Sequence, residues 1–258
     1  MNNIKKAFEN KALICFLMAG DPDLNTTKEV IISMAKAGCD MVELGVPFSD
    51  PIAESSVVQS ANLRALKSET YLKGIFDMIK EVRNTTQISI ILHTYINPVF
   101  NYGYEEFFMK CSEVNVCGIV VPDLPYEEKS EIKEYADKYD VDIISFVVPE
   151  NIDRVKMIAK EATGFIYFVP SIGSTSSMEG HFKEITSIID VLKENTNIPI
   201  ALGFGINTVQ QAEFFSEIAD GIIVGNAIVK IVEKYGKDSP SQVFEYVKKM
   251  KSAMKIKA

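Results

Sequence analysis

Two carboxylates, Glu43 and Glu54, stand in the most informative stretch of the chain. Glu43 lies inside the apolar run Met41-Val42-Glu43-Leu44, where an acid is costly unless it is paired or used. The alternation of the run leaves its direction open. It reads equally as an edge carboxylate bonded to neighbouring backbone and as a proton carrier. In a dry site, burial disfavours the charged form and suits such a group to give and take a proton near neutrality. Glu54 follows on a polar connection and reads first as a solvated charge, second as a partner acid. Asp50-Pro51 between them reads as turn chemistry, with Asp bonding its own backbone.

Three glycine-bearing segments come late: Gly173-Ser174-Thr175-Ser176, Gly203-Phe204-Gly205-Ile206 and Gly225-Asn226. The last glycine of a dinucleotide fingerprint is missing, because Thr208 stands there. Each segment follows an apolar run, and glycine lets backbone N–H groups approach an anion. They read as a phosphate cradle, or as ordinary helix–strand turns. No G-x-x-x-x-G-K-S/T is present, so nucleotide hydrolysis has no support.

Absent residues narrow the chemistry. No apolar run carries a lysine for a Schiff base, and the two histidines, His93 and His181, are too few for a His-rich metal centre. Carboxylate acid–base chemistry on a phosphorylated small molecule remains. His93 reads as a packing histidine rather than a catalyst. Tyr95 and Asn97 follow it and could reach across a site or meet a partner. Asp123, in Val121-Pro122-Asp123-Leu124-Pro125, reads as a turn residue or a partner of Glu43. Tyr167 needs a partner for its hydroxyl, and Phe16 and Phe204 would form apolar walls.

The elements that must hold these groups are legible as alternating runs. Short apolar segments at 12–18, 40–44, 88–93, 118–121, 142–147, 165–169, 198–202 and 221–224 read as strands buried on both faces. Amphipathic stretches at 26–37, 71–82, 105–113, 127–139, 152–162, 182–193, 209–218, 227–234 and 241–254 read as helices. Eight strands alternating with helices predict a (β/α)₈ TIM barrel, one domain over 1–258, with an extra N-terminal helix. Two connections are long, at 45–69 after the second strand and 170–180 after the sixth. Both leave the C-terminal ends of strands, where barrels build active sites, and both read as lids.

Composition agrees with a globular enzyme. Of 258 residues 47% are hydrophobic, and the net charge of −8 disfavours nucleic acid and anionic membranes as partners. No apolar run reaches the length of a membrane span, and the N-terminus reads as a helix rather than a signal peptide. The four cysteines form no C-x-x-C and read as reduced thiols of a cytoplasmic protein.

Together these residues resemble the tryptophan synthase alpha subunit family. Glu43-Leu44-Gly45-Val46-Pro47-Phe48-Ser49-Asp50-Pro51 carries the likeness most specifically. Tyr95-Ile96-Asn97-Pro98, Pro122-Asp123-Leu124-Pro125 and Gly203-Phe204-Gly205-Ile206 follow in order. The resemblance implies a (β/α)₈ barrel that cleaves indole-3-glycerol phosphate to indole and glyceraldehyde 3-phosphate, a retro-aldol step. It implies no cofactor and no metal in this chain. Pyridoxal phosphate belongs to a beta subunit that joins indole to serine, in an α2β2 complex.

By the same resemblance Glu43 is the central acid–base residue and Glu54 the carboxylate that meets the indole N–H. Phe16, Tyr167 and Phe204 line the indole pocket. Gly173, Ser176, Gly205, Gly225 and Asn226 hold the phosphate, and Thr175 lies on a mobile loop. Asp50, Pro51 and Asn97 face the beta partner, and Asp123 supports the site from behind. The chain departs from the family at Glu54, usually Asp, at Ser55-Ser56, usually Gly-Pro, and at Ser176 and Asn226, usually Gly and Ser. These changes keep two further readings open, a stand-alone indole-releasing lyase and a weakly active subunit that regulates the beta partner.

Overall fold

The structure is a computed structural model and describes residues 3–149, 151–170, 178–203 and 205–254, the side chains of 3 and 178–182 excepted. Eight parallel strands close into a barrel in sequence order. They are β1 (Ala12–Met18), β2 (Met41–Gly45), β3 (Ser89–His93), β4 (Val116–Val120), β5 (Asp142–Val147), β6 (Thr163–Phe168), β7 (Ile200–Gly203) and β8 (Gly221–Val224). β8 pairs back onto β1, Ala12 opposite Gly221. The barrel expectation holds.

The strands read as unbroken apolar runs because both faces are buried. Leu13, Cys15 and Leu17 of β1 pack outward against the helices, while Ala12 and Ile14 face an interior cluster with Met41, Ile91, Phe165, Ala201 and Ile223. The helix Asn3–Ala7 closes the N-terminal end of the barrel, where Ile4 and Ala7 join that interior cluster. Phe8, just beyond it, sets its ring 5.3 Å from that of Phe165. The opposite end is left for chemistry.

The connection after β2 differs from the expectation. Most of it is the helix Ser56–Lys67, capped by Ser55, whose side chain accepts from Val58 N–H. Its inner face of Val58, Ala61, Asn62 and Ala65 has helical spacing, but adjacent valines and flanking serines blur the apolar stripe. A short helix Ile96–Tyr102 also follows β3 directly. Pro98 fits there because the first turn has no intrahelical acceptor for its amide. Among the described residues no helix is long and apolar enough to cross a membrane.

Candidate active site

Register decides where Glu43 points. Phe16 of β1, Glu43 of β2 and Ile91 of β3 lie side by side. Glu43 shares its parity with Met41, an interior residue, so its carboxylate turns into the barrel near the C-terminal mouth. It is 0% exposed. A buried charge of this kind must be satisfied, and two side chains do so. His93 Nδ1 lies 2.6 Å from one oxygen and the Tyr167 hydroxyl donates to the other over 3.4 Å.

These groups line a cleft of about 430 Å³ together with Phe16, Glu54, Ser55, Gly203, Gly205, Asn207, Gly225 and Asn226. The volume suits a small ligand. Two apolar walls stand around the carboxylates. The Phe16 ring meets His93 edge-on at 5.8 Å, and Tyr167 lies 5.0 Å from Phe146. Burial, together with the charges of Glu43 and Glu54, pushes the Tyr167 phenol well above its ordinary value, so it remains a donor.

Glu54 enters from the loop after β2. Its Oε1 lies 2.9 Å from His93 Nε2. The loop is fastened on two sides: Tyr95 Oη accepts from Ala53 N–H at 3.1 Å, and Ser55 Oγ donates to Asn226 Oδ1 at 2.8 Å. Two departures from the family pattern, Ser55 and Asn226, therefore bond to each other across the mouth. Burial raises the Tyr95 phenol to about 12, which keeps it a neutral strut.

Opposite the carboxylates the helix Asn226–Tyr235 begins at the rim, with Gly225 as its N-cap. A helix N-terminus with glycine before it is a ready anion site. Gly205 adds a backbone at φ +54°, open to the cleft. Its loop is pinned by Gln211, which accepts from Asn207 N–H at 2.9 Å, and by Tyr246, which donates to Asn207 C=O at 3.0 Å. The candidates Gly173, Thr175, Ser176 and Phe204 lie outside the described residues.

Other candidates stand apart from the cleft. Asp123 accepts from Ile96 N–H at 3.0 Å. It anchors the start of the helix Ile96–Tyr102, the turn-residue alternative of the sequence reading. Asp50 is exposed, and its carboxylate accepts from Ser49 Oγ at 2.5 Å, while the turn itself is closed by Ile52 N–H donating to the Asp50 carbonyl at 2.9 Å. Asn97 is exposed and accepts from Asn101 at 2.9 Å. Near them Ile52 and Phe100 are 81% and 63% exposed.

His93 is the residue the sequence reading underrated. It is not packing but the bridge between both carboxylates. Its signal was position: a polar residue ending a barrel strand points to the mouth. Burial alone would lower its pKa, but the hydrogen bonds and charges of Glu43 and Glu54 lift it to about 10. An unfolded histidine titrates near ~6.5. The bridge's contribution to stability is thus complete below about pH 6.5 and is lost as pH rises through about 10. Urea unfolding should show stability falling between pH 7 and 9 by at most ~1.4 kcal/mol per pH unit. The slope should flatten in His93→Asn, and an equal slope in both proteins would contradict the assignment.

Comparison with known proteins places this barrel in a family. The family model described as tryptophan synthase alpha chain matches residues 1–258. A tryptophan synthase alpha chain from Lacticaseibacillus casei is 42% identical over 258 residues, covering 100% of this chain and 97% of its own. The alpha subunit structure from Legionella pneumophila superposes with a TM-score of 0.89 at 30% identity, covering 98% of each chain. A chain from the tryptophan synthase a2b2 complex of Pyrococcus furiosus gives 0.83 at 30% identity, over 93% of this chain and 97% of that one. A closed barrel with two bridged carboxylates at its mouth, matched over its full length in this way, belongs to the tryptophan synthase alpha chain family, the lyases that cleave indole-3-glycerol phosphate.

Proposed function

We propose that Glu43 carries the proton through both halves of this cleavage, and that Glu54 holds the indole ring while it does so. The observation that supports the reading most is the Glu43 carboxylate, fully buried at the mouth yet bonded by His93 and Tyr167. A proton given to indole C3 makes the ring an electron sink. The bond to the glycerol carbon then breaks, its electron pair restores the aromatic ring, and the glycerol hydroxyl proton returns to Glu43. The ring serves as its own acceptor, so we assign no cofactor and no metal to this chain. Glu54 accepts the indole N–H and offsets the positive charge that develops there. Gly225 and Asn226, at the start of a helix, and Gly205, on the loop after β7, take the phosphate.

The exposed residues Asp50, Ile52, Asn97 and Phe100, with half-buried Pro51 between them, form the rim on which a beta subunit would dock. Apolar side chains this open on loops suit a partner surface. The assembly follows the a2b2 form of the Pyrococcus protein, with pyridoxal phosphate in the partner alone and the complex in the cytoplasm. Indole passes to that partner for tryptophan synthesis. The test is indole release from indole-3-glycerol phosphate by the chain alone and with a beta subunit. Slow release that accelerates with the partner supports the alpha-subunit reading. Fast release alone would favour a stand-alone lyase. A folded, partner-binding chain that releases none would leave a regulatory subunit.

Gly203 tests the role of Tyr167. A Cβ there would come 2.4 Å from Tyr167 Cε1 and 3.0 Å from its hydroxyl. The ring cannot retreat freely, because Phe146 lies against it. Gly203→Ala should lower kcat/KM by about 10–100-fold, the cost of a misplaced group near the reacting atoms. Steady-state kinetics read the effect. Unchanged kinetics would show that Tyr167 is only a wall.

A further inference from the structure

We propose that His93 is a positioning residue that stores the acid proton of Glu43 and keeps Glu54 ionised, by bridging the two carboxylates as an imidazolium. The proposal rests on the proton-carrying role given to Glu43 above, and adds where that proton waits.

The argument is a count of protons across two short contacts. His93 Nδ1 is 2.6 Å from Glu43 Oε1, and His93 Nε2 is 2.9 Å from Glu54 Oε1. Two acceptors repel at such distances, so each contact needs a proton between its atoms. The 2.6 Å separation is that of a charge-assisted bond. The Nε2 contact is different. It is close enough for an ion pair but lacks the alignment of a hydrogen bond, leaving Nε2 buried without a directional acceptor. Charge holds it there rather than geometry, which a neutral imidazole would not supply. Burial by itself would favour the neutral ring, and the two carboxylates reverse that, lifting its pKa to about 10.

Among the described residues the surroundings supply no competing charge. The titratable groups facing the ring are Glu43 from β2, Glu54 from the following loop and, across Glu43, Tyr167 from β6. β1 presents Phe16, and β4 pairs Val120 beside His93. Asp123 beyond β4 is turned to Ile96.

Two protons on three groups give two arrangements of equal count. In the resting one the imidazolium faces two carboxylates. Moving one proton along the 2.6 Å contact leaves a neutral His93, its Nε2–H still beside ionised Glu54, and a protonated Glu43. That second arrangement is the working acid. Glu43 then gives its proton to indole C3, the carbon–carbon bond breaks toward the ring, and the hydroxyl proton returns to Glu43. His93 takes it back, and the trio ends with the protons it began with. The site needs no proton from solvent during the cycle.

The test uses the full-length chain. With His181→Gln, His93 is the one remaining histidine, and ¹⁵N spectra of its ring report protonation directly. The expected result is two protonated ring nitrogens through pH 9, with the change near pH 10. A neutral ring at pH 7.5 overturns the proposal. Kinetics supply the second arm, with His93→Asn and His93→Gln so that one misfolded variant does not end the test. Both should lose about 100-fold in kcat, the low end of what a positioned proton contributes, with KM within a few-fold. The alkaline limb of kcat should move from about pH 10 to at least ~2 units lower, which a purely structural histidine would not cause. A folded variant with an unshifted limb overturns it. Should the wild-type chain release no indole, the Glu43 reading fails, while the ¹⁵N titration still decides the charge of the bridge.

Discussion

Glu43→Gln should reduce indole release by about 10³-fold or more while leaving the barrel intact. The substitution keeps the size and shape of the side chain, so the interior layer of Met41 and Ile91 is not disturbed. The amide oxygen can still accept from His93 Nδ1, and the second position can still meet Tyr167. What is lost is the ability to carry a proton. A positioned acid or base contributes 10²–10⁴-fold in one step. Glu43 acts in two, first toward indole C3 and then from the glycerol hydroxyl. The change should fall on kcat, because the group acts on the reacting atoms and not on the phosphate. Binding of a non-cleavable phosphate analogue should therefore stay within a few-fold of wild type. Removing one of the two charges that hold the imidazolium should also let His93 lose its proton at lower pH, visible in its ring resonances. Retention of a tenth of the activity would mean that another group moves the proton.

The barrel was legible because its strands are buried on both faces and its helices are not. Eight apolar runs without polar alternation leave few alternatives to a parallel sheet closed on itself. The same property hid the direction of Glu43. In a run where every residue is buried, alternation carries no sign, and only the pairing of Phe16, Glu43 and Ile91 supplies one. Glu54 was legible as a carboxylate and not as a site residue, since its place depends on bonds from its neighbours Ala53 and Ser55 to Tyr95 and Asn226, 42 and 171 residues away. His93 was misread for a related reason. A histidine within an apolar run has the composition of a packing residue, and its two carboxylate partners meet it only once β2 and β3 lie side by side. The helix Ser56–Lys67 was missed because its stripe of Val58, Ala61 and Ala65 is short and small. Its stability comes from what it packs against more than from its own propensity.

That helix also carries the second large effect. Arg64→Met should cost about 3 kcal/mol, and loosen the loop that holds Glu54. Asp21, in the turn after β1, is 2% exposed. Arg64 grips it in two parallel bonds, Nε to Oδ1 and Nη2 to Oδ2, both 2.8 Å. Its third nitrogen, Nη1, reaches Glu233 at 2.8 Å, on the helix Asn226–Tyr235 that starts at the phosphate cradle. One guanidinium thus ties the β1 turn, the helix behind Glu54 and the anion-binding helix together. The Glu233 contact is half exposed and contributes little by itself. The Asp21 contact is different, because removing one partner of a buried pair leaves the other charge without compensation, at ~3–5 kcal/mol. Arg64 keeps 28% of its side chain in water, which places the expected loss at the low end, about 3 kcal/mol. For a chain of this length that is a fall of about 6–12 °C in Tm. Methionine retains the apolar stem along the helix, so the loss reports the charge and not a cavity. Adding Asp21→Asn should recover part of it, since the orphaned charge is then gone. At a temperature where the variant remains folded, kcat/KM should fall about 10-fold as the loop bearing Glu54 loses its anchor. Calorimetry and kinetics of the single and double variants read both effects. A loss under about 1 kcal/mol, unchanged by Asp21→Asn, would show that the pair behaves as a surface contact and that the Glu54 loop is held by Tyr95 and Asn226 alone.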